Sequence, residues 1–129
     1  PNGQPLTHVW DAAGNRIELR TWFGNQQFVR DGRGAIVRFI DESGAVSTSV
    51  YDVRGLPVLD SDPDGSMTTT VYDALGRLIG TRHVSAAAAE LDLALLAYDP
   101  AGNPVLKVTG DGRATMTYDF ADQLLSEYH

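Results

Sequence analysis

An Asp opens a short turn-forming run six times in this chain, at a nearly constant interval. The residues are Asp11, Asp31, Asp52, Asp73, Asp99 and Asp119, separated by 20, 21, 21, 26 and 20 positions. Five of the six carry a glycine three residues later: Gly14, Gly34, Gly55, Gly76 and Gly102; the sixth has Asp122 there. The residue before each Asp is Tyr51, Tyr72, Tyr98 or Tyr118 in four cases, Trp10 and Arg30 in the others. A fixed period of this length signals stacked copies of one supersecondary unit. Such arrays supply surface, wall or scaffold, and any chemistry has to be argued separately.

Each period contains a second turn signal. Gly24, Gly44, Gly65 and Gly112 each lie 13 residues after a repeat Asp, in runs such as Asp41-Glu42-Ser43-Gly44 and Asp62-Pro63-Asp64-Gly65. Asp first, Pro second and Gly fourth is the preference of a type I turn. A left-handed Gly after such a turn closes a short hairpin loop with a bulge. Turns therefore recur every ten or eleven residues, and the runs between them have strand length. Val46–Tyr51 and Met67–Tyr72 are rich in β-branched and aromatic residues. The expectation is an all-β chain, an antiparallel meander of about twelve short strands forming a curved sheet, with residues 1–129 as a single array.

The pattern also predicts pairing. Six residues after each Asp stands an aliphatic residue: Ile17, Val37, Val58, Ile79, Val105 and Leu125. Two residues before each Asp stand Val9, Val29, Val50, Val71, Ala97 and Thr117. These two sets are expected to face each other across the hairpins, with a bulge able to slip the register by one residue. The residue before each Asp is then expected opposite the one five after it: Arg16, Ile36, Pro57, Leu78, Pro104 or Leu124. The long fourth interval contains Val84-Ser85-Ala86-Ala87-Ala88-Ala89-Glu90-Leu91. Ser85 before four alanines predicts one short helical insertion over 84–91, with the strand resuming at Asp92.

Composition excludes several function classes. The formal net charge is −7, and the nine arginines and single lysine form no block. This argues against nucleic-acid partners and anionic membrane surfaces. There is no cysteine, hence no disulfide and no thiolate metal site. No apolar run reaches the roughly 18 residues of a membrane-spanning helix, so no membrane insertion is expected. Pro1-Asn2-Gly3-Gln4 does not read as a signal peptide. The chain also begins and ends in mid-pattern, with Asn2-Gly3 resembling a preceding tip and Tyr128-His129 within a strand, and reads as a fragment of a longer protein.

Tyr72-Asp73-Ala74-Leu75-Gly76-Arg77-Leu78, preceded by Thr70-Val71 and by the Asp62–Gly65 tip, resembles the YD repeat of the Rhs family. Tyr98-Asp99-Pro100-Ala101-Gly102-Asn103 and Trp10-Asp11-Ala12-Ala13-Gly14-Asn15-Arg16 are close variants, and the likeness spans the whole chain. The family includes bacterial polymorphic toxins, shell-forming components of insecticidal toxin complexes, and teneurins. The resemblance implies a β-sheet that coils into a hollow shell around a toxic domain, in a secreted or cell-surface bacterial protein. Its partners would be neighbouring YD repeats of the parent chain and the enclosed domain. Exposed strand edges imply self-association, end to end or by domain swapping. Asp99-Pro100-Ala101-Gly102 is followed by Asn103, not by the Leu of the family's self-cleaving segment, so no autoproteolysis is assigned.

Other chemistry is thin. Asp60-Ser61-Asp62-Pro63-Asp64-Gly65 resembles half a calcium loop, but its twelfth position is Val71 where a bidentate Glu is needed. His8, His83 and His129 have no zinc-ligand spacing. Gly110-Asp111-Gly112 lacks the helix of a phosphate loop. No catalytic residue, metal ligand or cofactor is assigned, and the chain is not expected to be an enzyme. The repeat turns are assigned as structural residues. Trp10, Trp22 and Phe23 are kept as a glycan-contact patch, because exposed aromatic rings beside polar groups can stack on sugars. That patch supports the second reading, a surface glycan-binding or adhesion module.

Overall fold

A computed structural model of the protein describes residues 6–129. Twelve strands follow one another: β1 (Thr7–Trp10), β2 (Arg16–Thr21), β3 (Gly24–Arg30), β4 (Ile36–Ile40), β5 (Val46–Tyr51), β6 (Pro57–Ser61), β7 (Met67–Tyr72), β8 (Leu78–Val84), β9 (Glu90–Tyr98), β10 (Pro104–Thr109), β11 (Gly112–Tyr118) and β12 (Leu124–Tyr128). Strand order in the sheet is sequence order, as a meander requires, and the all-β fold expected from the turn spacing is the fold observed. The chain divides into two compact units, Pro1–Gly65 and Ser66–His129, holding β1–β6 and β7–β12.

All six repeat turns have the same backbone. The Asp N–H donates to the carbonyl four residues on, and the N–H three residues on donates back to the Asp carbonyl, as in Asp11–Asn15 at 2.9 Å and Gly14–Asp11 at 3.1 Å. The third residue after Asp must then be left-handed. Gly76 has φ +82° and Gly102 φ +101°, a region open to glycine at little cost. Asp122 occupies it at φ +59° in the sixth turn, and Asp is one of the few side chains that tolerates it.

This turn sets the register. The residue before each Asp pairs with the one five after it, as expected: Trp10 with Arg16, Arg30 with Ile36, Tyr51 with Pro57, Tyr72 with Leu78, Tyr98 with Pro104 and Tyr118 with Leu124. The register then shifts by one. Val9 pairs with Glu18, Val29 with Arg38, Val50 with Leu59, Val71 with Gly80, Ala97 with Leu106 and Thr117 with Ser126. The expected facing of these residues with Ile17, Val37, Val58, Ile79, Val105 and Leu125 is therefore corrected. Each of those aliphatics is the extra residue of a β-bulge, opposite no single partner.

The helical insertion over 84–91 is also corrected. Val84 ends β8, Glu90 begins β9, and Ser85–Ala89 closes their hairpin with the repeat turn's own geometry. Ser85 N–H donates to the Ala89 carbonyl at 2.8 Å, Ala88 N–H to the Ser85 carbonyl at 2.9 Å, and Ala89 N–H to Ser85 Oγ at 3.2 Å. Ala88 takes the left-handed position at φ +59°. Four alanines between two strands are too few to nucleate a helix against a closing hairpin. The extra length lies in the strands: β8 has 7 residues and β9 has 9, against 5 and 6 in β4 and β5.

Neither unit has a thick core. Val84 and Ala114 are the buried apolar side chains among the described residues, and no large side chain is fully buried. In β3 and β7 one face is half-covered and the other open, whereas every residue of β6 is half-buried. In β3, Gln26, Phe28 and Arg30 are half-buried while Asn25, Gln27 and Val29 are exposed. Phe28 packs on Phe39 across the strands at 5.3 Å, with the Arg16 guanidinium 4.9 Å over the Phe28 ring. Ladder hydrogen bonds, cross-strand pairs and turn bonds therefore hold the strands together more than burial does.

Candidate functional site

Two features built by the repeat are candidates: the row of Asp turns with their tyrosines, and the exposed aromatic tip. In each turn Asp Oδ1 accepts two backbone N–H groups. Asp73 takes them from Leu75 and Arg77, both at 2.9 Å; Asp99 takes them from Gly102 and Asn103 at 2.8 and 2.9 Å. The N–H four residues on is the main reason that the carboxyls of Asp11, Asp52, Asp73 and Asp99 lie below the usual aspartate range. The Ser43 hydroxyl is the largest cause of the same lowering at Asp41. These groups stay ionised at neutral pH and face their own backbone, which is the geometry of a turn clamp and not of a general acid or base.

Neighbouring turns are stitched together within each unit. Arg33 reaches the Asp52 and Val53 carbonyls at 3.2 and 2.9 Å. Arg77 pairs with Asp73 at 2.6 Å, lies 4.6 Å over the Tyr98 ring and touches the Asp99 carbonyl at 3.4 Å. Asn103 donates to Asp122 at 2.8 Å.

The periodic tyrosines make the second link. Tyr51 donates its hydroxyl to the Ile36 carbonyl at 3.1 Å, Tyr98 to Leu78 at 2.8 Å and Tyr118 to Pro104 at 2.9 Å. Each acceptor is the residue five after the preceding repeat Asp. The Tyr before one turn thus clasps the strand that leaves the turn before it. The sequence showed the period of these tyrosines but not the acceptor, which is a backbone atom.

Of the three aromatic residues singled out from the sequence, the fold brings two together. Trp22 and Phe23 form the two-residue loop of the β2–β3 hairpin, closed by the Thr21–Gly24 pair. Their rings meet edge to face at 5.2 Å and 87°, and they are 69% and 58% exposed. The adjoining Gly24 lies against the next tip so closely that a Cβ on it would come 2.7 Å from Glu42 Cβ. Gln26 donates to the Glu42 carboxylate at 2.6 Å. Trp10 stands at the other end of β2, stacked on His8 at 6.0 Å, six residues or roughly 20 Å of strand from Trp22.

The remaining polar candidates are cross-strand contacts. Thr68 Oγ1 and His83 Nδ1 lie 2.8 Å apart, and Ser49 bonds Asp60. Among the described residues no three His, Asp or Glu side chains gather as a metal site, and no helix is long and apolar enough to cross a membrane.

Comparison with known proteins bears on the whole array. Residues 51–89 match the family described as RHS Repeat. The chain carries an RHS repeat. The matched segment contains the Tyr51–Gly55 and Tyr72–Gly76 turns and the tip between them, the stretch on which the sequence resemblance is strongest. The twelve-strand array as a whole has the fold of a short segment of much longer chains. It matches the crystal structure of TcdB2-TccC3-Cdc42 with a TM-score of 0.76 at 20% identity, covering 95% of this chain and 7% of that one. The Photorhabdus luminescens Tc holotoxin pore, in a structure of a TccC3 mutant, gives 0.76 at 20% identity over 95% of this chain and 7% of that one. TcdB2-TccC3 alone gives 0.75 at 20% identity with the same coverage, 95% and 7%. Likeness at this identity establishes the fold. No curated protein sequence matches.

Proposed function

We propose that this chain is a structural segment of an RHS-repeat wall in a larger bacterial toxin, and that the wall encloses a toxic domain. The observation that carries this reading is the repeat-to-repeat clasp: Tyr51 to Ile36, Tyr98 to Leu78 and Tyr118 to Pro104. A device that joins a repeat to the one before it, made by three of the tyrosines, suits an array that grows by adding copies, and a barrier needs that property more than a pocket. The partners are then the adjoining repeats of the parent chain and the enclosed domain. Strand edges mediate association of the detached segment, and the site of action is secreted or at the cell surface. The role is structural and not enzymatic. Proteolysis of the parent protein tests this. The region outside the RHS array should resist protease in the parent and be cut when the wall is opened by Tyr98→Ala with Tyr118→Ala. Equal digestion with and without those changes would sink the reading.

A second reading is favoured by one observation, the braced and exposed Trp22–Phe23 pair. In that reading the hairpin tip stacks on a sugar ring. Glycan-array binding lost in Trp22→Ala but kept in Trp10→Ala supports it. Binding unchanged in both variants removes it.

A further inference from the structure

The Gly110-Asp111-Gly112 tip takes no part in the tyrosine clasps or in the aromatic pair. It holds one of three Asp-Gly steps among the described residues, with Asp31-Gly32 and Asp64-Gly65. Glycine after aspartate puts no side chain in the way of a reaction between the carboxyl and the next backbone nitrogen. The fold restrains two of the three steps. Asp31 Oδ1 accepts the Arg33 and Ala35 N–H groups at 2.9 and 3.0 Å, which ties that carboxyl to nitrogens beyond Gly32. In Asp62-Pro63-Asp64-Gly65 the proline stiffens the turn, and the Gly65 N–H donates to the Asp62 carbonyl at 2.9 Å.

Asp111 is exposed, and among the described residues no hydrogen bond or ion pair reaches its carboxylate. Gly112 begins β11 and pairs with Thr109 across the loop, so its nitrogen is held by the last rung of one hairpin. Such ends are the parts of a sheet that open first. The β2–β3 loop shows what bracing adds. Thr21-Trp22-Phe23-Gly24 has the same Thr and Gly frame, with Gly24 at φ +154° and Gly112 at φ +146°. A Cβ on Gly24 would come 2.7 Å from Glu42 Cβ, whereas nothing lies within 4 Å of one on Gly110 or Gly112. The β10–β11 loop has room to change shape.

We propose that Asp111-Gly112 is a site of spontaneous main-chain modification, where aspartate isomerises to isoaspartate through a cyclic imide. The Gly112 nitrogen attacks Cγ of the Asp111 carboxylic acid. An N–Cγ bond forms, a Cγ–O bond breaks, and the amide proton leaves with the hydroxyl as water. Water then adds to the main-chain carbonyl carbon of Asp111 and breaks its bond to the ring nitrogen. The chain now runs through Cβ and Cγ, one carbon longer, and the carboxylate hangs from Cα. One water is lost and one regained, so no oxidant or cofactor enters. Neither reading of function bears on this step.

Ageing the full chain at physiological pH and temperature tests it. Asp31-Gly32-Arg33 and Asp111-Gly112-Arg113 are the same tripeptide, so a difference between them reports structure and not sequence. Trypsin separates the three steps, into residues 31–33, 55–77 and 108–113. Isoaspartate, read as a shifted elution at unchanged mass, should accumulate in 108–113 at least about tenfold faster than in 31–33 or 55–77. In the chain unfolded in urea the three rates should converge, because the restraints are gone. Equal rates in the folded chain overturn the proposal. So does a tenfold lead for 108–113 that persists in urea.

Discussion

The two units fold with one turn and different clasps. In the second unit Tyr98 and Tyr118 each bond the strand that leaves the preceding turn. In the first, Tyr51 does so, but Trp10 and Arg30 hold the other two positions. Arg30 turns to its own loop, donating to the Gly34 carbonyl at 2.8 Å, and its buried Nε finds no partner. The turn bonds around Asp11 and Asp31 are nonetheless the same as those around Asp73 and Asp99. The turn therefore sets the geometry, while the aromatic clasp adds stability and is replaceable.

Acid offers the broadest test, because it attacks what the units share. The carboxyls of Asp11, Asp41 and Asp52 in the first unit, and of Asp73 and Asp99 in the second, are lowered in the folded state. Their contribution is fully present above the unfolded value near 3.9 and is lost as pH falls through the folded values. Both units should lose β-structure together below about pH 4, followed by circular dichroism. Loss centred near neutrality would contradict this.

Gly24→Ala should separate the units most sharply. The new Cβ meets Glu42 Cβ at 2.7 Å and its carbonyl oxygen at 2.9 Å, at φ +154°. Strain and overlap together cost roughly 3 kcal/mol. Hydrogen exchange should rise in β2–β5 while β9–β12 stay protected. Tyr98→Phe removes one hydroxyl bond and should cost about 1 kcal/mol in denaturant melts, and Tyr98→Ala about 2 kcal/mol. Arg30→Tyr supplies the missing clasp to the Arg16 carbonyl and should stabilise the first unit by about 1 kcal/mol. A neutral result there would show that the clasp is not portable. Ala88→Gly relieves a left-handed alanine and should gain about 0.5 kcal/mol, confined to the β8–β9 hairpin.

The sequence made the turns, the strand count and one pairing register legible, since Asp, Gly and Tyr recur at fixed offsets from one another. It hid the bulge. Counting from Asp11 to Ile17 gives no sign that Ile17 drops out of the ladder, because an extra residue leaves no mark on composition. Ser85-Ala-Ala-Ala-Ala misled for a related reason. A serine before alanines is a good helix start, and it is equally a serine substituting for the turn Asp, with an alanine in the glycine's place. The braced aromatic tip was half-legible: Trp22 and Phe23 stand out as residues, but the support from Gly24 and Glu42 is a contact between turns about twenty positions apart. The separation of Trp10 from them follows only once β2 is known to run between the two ends.

The uneven hairpin of β8 and β9 bears on how such arrays diversify. Two residues added to one strand and three to the next leave the clasping turns at Asp73 and Asp99 untouched, because all the growth is at the far end. In each unit the edge with the Asp turns acts as a fixed margin, and the other edge is free to change length one hairpin at a time. Descendants of such a chain would accumulate insertions, deletions and new loops on that free side, and keep their alignment along the other.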